Sequence, residues 1–528
     1  MSRPAGLVAA IVRTDLLLRF RRTTAIVTLL AVAAGVYLIV PDIRSGRTLM
    51  QINGERVFYN SAAVALGTAM FCGLLLSLAG YYLVSNSVRR DVVSRTGFII
   101  AATPVSNFEY VLGKFAGSVL TLGAVALGCM LSAMVMFLIR GEGPLEPFVF
   151  LSTYAWIIVP GIAFTSAMAI AFESLPLLSG RFGDVLYFFL WATLLGLPMG
   201  LFENGVRMRW LGAIDIMGIV VIIGQVQEKF RTTTMSIGST TFDALKEPIL
   251  YPGLNWGWEM IAVRIASLAV PACLILLAGA WFHRFNPARI RLSVRHSRRN
   301  FLGRINGLLK PVTRMLAPLA AFRIPGLGDT SLANAVLADV FATLLLSPLT
   351  FLAVAVFAVL SLSLDLPSLR AGVLPAAFLV LVLALADVTT RDTGSGMMNL
   401  LFTAPRLKKH YVSWKLGSAL LITFLLTSIP AARLLAASPS AGLSLCIGSC
   451  LISAAAVGLG VLNGSQKFFV AVFLMLLYIA LSAPDSAIFD FAGFSGTATR
   501  GVQVGYAALT ALFGAGGYLR HGARIRAL

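Results

Sequence analysis

Two sets of residues in this 528-residue chain repeat at a fixed distance: Pro104, Tyr110 and Lys114, then Pro405, Tyr411 and Lys415. In each set the tyrosine follows the proline by six positions and the lysine by ten, an offset of 301 throughout. Proline pre-sets a turn or the first residue of a helix. Tyrosine and lysine at the start of an apolar run suit the headgroup zone, as an amphipathic ring and a snorkelling charge. Upstream, Arg95-Thr96-Gly97 reads as the counterpart of Arg391-Asp392-Thr393-Gly394, with a few residues inserted. The chemistry on offer is positioning and recognition.

Bond-making residues are sparse. Apart from Lys467 at the first position of its run, the apolar runs hold only Lys114, Arg264, Lys415 and Arg433 as charges, each one or two turns from an end, where a long side chain can snorkel to water. Glu173 and Asp387 lie just past run ends, and no run has a charge at its centre. An internal proton relay, which needs ionisable groups at membrane depth, therefore has little to stand on. A lipid-modifying enzyme needs clustered Asp, Glu or His, yet Asp91, Glu173, Asp184 and Asp387 are scattered. His283, His296, His410 and His521 sit in basic loops, and the five cysteines lie inside apolar runs, so neither a metal site nor a disulfide is expected. No Gly-x-x-x-x-Gly-Lys-Ser/Thr loop is present: Gly113-Lys114 runs on into Phe115. Catalytic, cofactor and metal residues are expected to be absent, and any ATP hydrolysis must belong to another chain.

The elements that carry these residues follow from composition. Hydrophobic residues make up 58% of the chain and charged ones 12%, with a mean hydropathy of +0.87. A soluble domain carries about a quarter charged residues, so a polytopic membrane protein is expected. A span needs ~20 mostly apolar residues. Twelve runs qualify: 23–40, 61–84, 110–139, 149–172, 185–202, 260–282, 342–364, 371–386, 411–436, 440–462, 467–483 and 502–519. The 371–386 run is short, and Pro430 is placed to kink 411–436. The first run is too long and too far from the start for a cleavable signal, and reads as retained.

Twelve spans put both termini on one face. That face receives 29 of the 42 Lys/Arg and 9 of the 22 Asp/Glu, and so the whole net charge of +20. The positive-inside rule makes it cytoplasmic. The charge then reports topology, and nucleic acid is not an expected partner.

The expected fold is all-α, with about twelve transmembrane helices as two six-helix pseudo-repeats. Residues 1–282 form the first half, 283–330 a basic cytoplasmic linker, and 331–528 the second half. The linker has ten Lys/Arg and no Asp or Glu between Phe282 and Arg323, which suits anionic headgroups. Each half opens with an amphipathic stretch, Leu7 to Phe20 with Arg13, Asp15 and Arg19, and Leu332 to Leu344 with Asp339. The outer-face insertion 203–258, holding Trp210, Trp256 and Trp258, reads as a small lid or interfacial helices.

The run from Arg95 to Phe115 resembles the segment between the second and third spans of type-2 ABC exporter permeases, here as a fused, duplicated form. Those proteins show a basic residue and Gly, a Leu/Ala-Thr/Ala-Pro turn, then Tyr or Leu and Gly-Lys as the third span begins. Gly180 to Trp191 and Phe282 to Pro287 are similar to the entry of their fifth span and the segment after their sixth. The resemblance implies that loops 92–108 and 392–409 form coupling helices that dock on an ATPase. Carried over by position, the coupling residues are Arg95, Thr103, Pro104, Tyr110, Lys114, Pro405, Tyr411 and Lys415. The second half departs from the pattern, since Trp414 stands where the family has Gly.

The resemblance further implies a transport permease without its own ATPase domain, exporting an unidentified substrate across a bacterial cytoplasmic (inner) membrane. Its partners would be two nucleotide-binding ABC ATPase subunits and the lipid bilayer. The alternative is a twelve-span secondary, ion-coupled transporter, indifferent to any ATPase.

Overall fold

A computed structural model describes residues 4–21, 23–175, 178, 181–203, 211–232, 234–243, 245–282, 318, 331–346, 348–403, 405–482, 484 and 487–527. The basic linker 283–330 lies, but for Pro318, outside the described residues, as do Trp210 and Ala404. The chain divides into two compact units, Met1–Leu292 and Ser293–Leu528.

The first unit opens with α1 (Pro4–Phe20) and α2 (Thr23–Ile39). Helix α3 (Ser61–Val84) follows, then the short α4 (Ser87–Val93) and α5 (Thr96–Ala101), then the long α6 (Asn107–Arg140) and α7 (Pro147–Ser174). Local chemistry sets the ends. Ser106 and Glu109 form a reciprocal capping box at the start of α6. The Asn60 side chain accepts from the Ala63 N–H to open α3, and Pro147 pre-forms the first turn of α7. Glu173, at the end of α7, accepts the N–H groups of Asn86 and Val88 and so fixes the start of α4. Helices α3 and α7 form the centre of the unit, with α6 against both and α1 lying along α6.

After α8 (Arg181–Glu203) come α9 (Leu211–Ile214) and α10 (Ile219–Phe230), then the last helical stretch, α11 (Trp258–Ala266) and α12 (Ala269–Trp281). The expected sixth span is thus interrupted by a turn at Ser267–Leu268. Pro271 has no N–H for the Ser267 carbonyl, which accounts for the break there.

The fold is predominantly helical but not wholly so. Strand β1 (Arg47–Ile52) pairs antiparallel with both β2 (Glu55–Arg56) and β3 (Met235–Thr241), in the order β2-β1-β3. The insertion read as a lid or interfacial helices therefore contributes a strand to a sheet begun after α2. The turn between β1 and β2 is made by Asn53-Gly54, both with positive φ. Tyr59 clamps this sheet, accepting from the Leu49 N–H at 2.7 Å and donating to the Pro41 carbonyl.

The second unit opens with α13 (Leu332–Leu346) and α14 (Pro348–Ser363). The boundary falls beside Pro348, six residues later than the expected start at 342, because Val340 to Leu346 is itself apolar. A helical turn (Leu366–Ser368) and a π-turn (Leu369–Val373) lead into α15 (Leu374–Leu385), so the short 371–386 run begins earlier than expected. Two short helices, α16 (Thr390–Gly394) and α17 (Met398–Leu401), precede α18 (Pro405–Ala437), α19 (Pro439–Asn463), α20 (Gln466–Ser482) and α21 (Arg500–Ala527). Helix α18 continues through Pro430; its backbone departure lies at His410 instead. Helix α19 packs on both α18 and α21, and α13 lies along α18.

Seven helical stretches among the described residues are long and apolar enough to cross a membrane, from Ser61–Val92 to Pro439–Asn463, and five shorter apolar helices accompany them. The protein is therefore a predominantly helical, membrane-embedded chain. Helix α21 has the length of a span but a weaker apolar character, owing to its glycines and polar residues.

Candidate functional site

In the first unit, the side chains of α1, α4 and α6 meet in a buried ion cluster. Asp15, on α1, has no exposed side-chain surface and faces three cations. Its carboxylate lies 2.7 Å from Arg19 Nε, 2.6 Å from Arg90 Nη2 and 3.4 Å from Lys114 Nζ. Lys114 also lies 2.8 Å from Asp91, and the Tyr110 hydroxyl donates to the same Asp91 oxygen at 2.7 Å. Arg19 further donates to the Val84 carbonyl and to Ser118, tying the end of α3 into the group.

The close approach of α1 to α6 depends on two glycines four residues apart, a spacing that lets helix backbones come together. A Cβ on Gly113 would lie 2.9 Å from Ile11, and one on Gly117 would lie 3.2 Å from the Asp15 carboxylate. Burial alone would raise the Asp15 carboxyl, but Arg19, Lys114 and Arg90 outweigh it and hold the group below its ordinary range.

The second unit contains an arrangement of the same residue types. Asp339, on α13, lies 3.1 Å from Arg391 and 3.3 Å from Lys415. Lys415 lies 2.9 Å from Asp392, to which the Tyr411 hydroxyl donates at 3.1 Å. Lys114 sits over the Tyr110 ring at 5.6 Å, and Lys415 over Tyr411 at 5.9 Å and over Trp414 at 4.2 Å. The tyrosines are also covered alike: Phe282 stacks on Tyr110 in one unit, and His521 on Tyr411 in the other.

These contacts correct the register of the upstream match. Arg90-Asp91 and Arg391-Asp392 play the same parts and are 301 residues apart, so no insertion separates the two segments. Arg95-Thr96-Gly97 is not the counterpart of Arg391: Arg95 is exposed, in the left-handed region at φ 60°, and starts α5. Extending the fixed offset upstream from Pro104 would have found Arg90 and Asp91. The aspartates on α1 and α13 lie 324 residues apart and share no offset with the rest, so only packing joins them to the group.

The clusters differ in charge. Arg19 lies four residues after Asp15, and the matching place after Asp339 is taken by Thr343, whose hydroxyl accepts from Arg391. Among the described residues, the ion pairs of the first cluster join three cations to two carboxylates, and those of the second join two to two.

The eight residues singled out from sequence separate by exposure. Tyr110, Lys114, Tyr411 and Lys415 are buried, so Lys114 and Lys415 do not snorkel. Carboxylates within reach inside the fold are better partners than water at the end of a strained side chain. Arg264 is likewise buried: it donates to the carbonyls of Trp156, Ile157, Asp215 and Ile216. Arg95 and Pro104 are exposed, Thr103 is half-buried, and the environment of the Pro405 ring is outside the described residues. The Thr103 hydroxyl donates to the Ile100 carbonyl and closes α5; Thr403 does the same to Leu400 at the end of α17.

Sequence reasoning passed over two surface residues. Ile99 on α5 is 69% exposed and Leu400 on α17 is 62% exposed, again 301 residues apart. Each unit thus presents one large apolar side chain on a short helix whose flanking residues are held by the buried ion cluster. Comparison with protein-family models, curated proteins and solved structures gives no match.

Proposed function

We propose that this chain is the transmembrane permease of an ATP-binding-cassette exporter, with ATP hydrolysed by two separate partner subunits. The observation that carries this reading is the recurrence, once per unit, of an exposed apolar residue on a short helix beside a buried ion cluster. Helices α5 and α17 are read as the coupling helices, with Ile99 and Leu400 as the side chains that enter the ATPase surface. Arg95, Thr103, Pro104 and Pro405 shape those loops. Tyr110, Lys114, Tyr411 and Lys415 act one layer deeper, as transmitting rather than contacting residues.

A push on α5 reaches α4 and then Arg90 and Asp91, which Asp15 and Lys114 tie to α1 and α6. Buried charge pairs resist separation, because parting them leaves uncompensated charge in a poorly solvated place. The segment therefore moves with α1 and α6 as one body, which is what a rocking transport cycle requires. In this reading the chain has twelve spans in two pseudo-repeats, with both termini and the coupling helices on the cytoplasmic side of a bacterial inner membrane. The three-stranded sheet lies on the outer side. The chain contributes no catalytic group.

The test is affinity purification of the intact chain from its native membrane in mild detergent, with co-purifying proteins identified and vanadate-sensitive ATP hydrolysis assayed. A stoichiometric Walker-motif subunit supports the reading. A chain that repeatedly purifies alone and without ATPase activity overturns it in favour of an ion-coupled carrier.

A further inference from the structure

The first unit contains a cavity of about 190 Å³, walled by α2, α3, α7 and α8 and closed on one side by Met217, Ile219 and Ile237. Among the described residues its lining side chains are all apolar, including Phe71, Ile157 and Leu195. Two glycines keep it open. A Cβ on Gly35 would lie 2.9 Å from the Phe71 ring, so Gly35 gives that ring a place against α2. Gly73 lines the space itself, and a Cβ there would meet nothing within 4 Å.

Protein interiors pack densely and leave few voids of this size. Water is a poor occupant, because it needs two to four polar partners and the described lining offers none from side chains. An apolar cavity of ~150 Å³ readily accepts a hydrocarbon guest. The position is informative too. Met70 to Leu74 lie about 15 Å along α3 from its Ser61 end, and Ile157 lies a similar distance into α7. Ile39 ends α2 and Ile237 belongs to the sheet, so the cavity runs from the middle of α3 and α7 toward that sheet, over a length that the end of an acyl chain can fill.

We propose that this cavity is a binding site for the distal part of one acyl chain of a membrane phospholipid, held beneath the segment carrying Met217 and Ile237. The site needs only that the chain is membrane-embedded, and stands whether or not an ATPase partner exists.

The test uses the full chain in nanodiscs doped with phosphatidylcholine that carries a photoreactive diazirine near the end of one acyl chain. After illumination, adducts are mapped by mass spectrometry. Label is expected on peptides holding Ile157, Leu195 and Met217, and on peptides holding the exposed Leu138 and Leu151 as a reference. Gly73→Phe should fill the space and remove the cavity label while the reference label and thermal midpoint persist. Gly73→Leu provides the milder filling if the phenylalanine variant does not fold. A diazirine placed near the headgroup should label the cavity less than the distal one. The proposal is overturned if the cavity peptides stay unlabelled while the reference peptides label, or if filling leaves the cavity label intact. It is also overturned if only a free diazirine fatty acid, and not the phospholipid, reaches the site.

Discussion

Gly113 and Trp414 occupy equivalent places, each one residue before the lysine of its ion cluster, and each is matched to the helix opposite. Gly113 leaves room for Ile11, whereas the Trp414 indole donates to the Ala335 carbonyl at 2.9 Å. Ile11 and Ala335 each precede their cluster aspartate by four residues, so a large residue faces a small one in both units, in opposite order. Trp414 in the place that Gly113 takes in the first unit is thus matched by a smaller residue on the helix opposite.

This compensation is testable by swapping it. Gly113→Trp alone should destabilise the chain by about 1–3 kcal/mol through overpacking. Adding Ile11→Ala should recover part of that loss, because the two sites touch and their effects do not add. Thermal midpoints of the two variants in one detergent decide it; no recovery in the double variant would show the exchange to be fortuitous.

Asp15 balances three cations and Asp339 two, which sets an order of sensitivity. Asp15→Asn leaves buried cations short of a carboxylate and should cost about 3–5 kcal/mol. Asp339→Asn should cost less, and Arg19→Thr, which gives the first cluster the charge balance of the second, should cost least. Thermal unfolding of the three variants supplies the ranking, and equal losses would contradict the geometry.

The same carboxylate should make stability depend on acid. Its folded pKa is depressed, so the folded state binds fewer protons there than the unfolded chain does. The Asp15 contribution is present above its ordinary value of 3.8 and is lost as pH falls through the lower, folded value. Thermal midpoints followed from about pH 6 to pH 3 should fall less steeply in Asp15→Asn than in the parent.

Arg264 supports a different element. Its guanidinium satisfies carbonyls on α7 and on the irregular turn Asp215–Ile216, while the Asp215 carboxylate takes the N–H groups of Ile219, Val220 and Val221. Non-helical backbone packed among apolar helices needs such partners. Arg264→Met should therefore release α9 and α10, with a cost of about 1–3 kcal/mol for each carbonyl left bare. Hydrogen exchange should accelerate at Ile219 to Val221 and remain unchanged in α19; uniform acceleration would point to global loss instead.

Much of the helical layout was legible because twenty apolar residues in a row leave the backbone no cheaper arrangement than a helix. The Pro, Tyr and Lys positions were legible because their spacing is local and identical in both halves. Three things were not. The aspartates of α1 and α13 reach their partners through packing, and no sequence periodicity reports a contact between Asp15 and Lys114. Snorkelling was inferred from the distance of Lys114, Arg264 and Lys415 to a span end, but buried carboxylates and carbonyls outcompeted water. The pairing of β1 with β3 joins residues nearly two hundred positions apart, and Met235 to Thr241 carries too few apolar residues to announce a strand.

Ile99 and Leu400 give the sharpest test of the coupling reading, because both are exposed and their replacement should leave the fold intact. Surface substitutions away from packed features usually change stability by less than ~0.5 kcal/mol. If these side chains enter pockets on an ATPase, placing a carboxylate there buries an unpaired charge, and each interface should weaken by about 2 kcal/mol or more. The double variant Ile99→Glu/Leu400→Glu should thus keep its thermal midpoint while losing the co-purifying ATPase and the vanadate-sensitive hydrolysis. Each single variant should retain an intermediate amount, since two sites then share the load. An ATPase that stays bound to the double variant would move the contact elsewhere on the chain, and a lowered midpoint would show that Ile99 and Leu400 serve the fold rather than a partner.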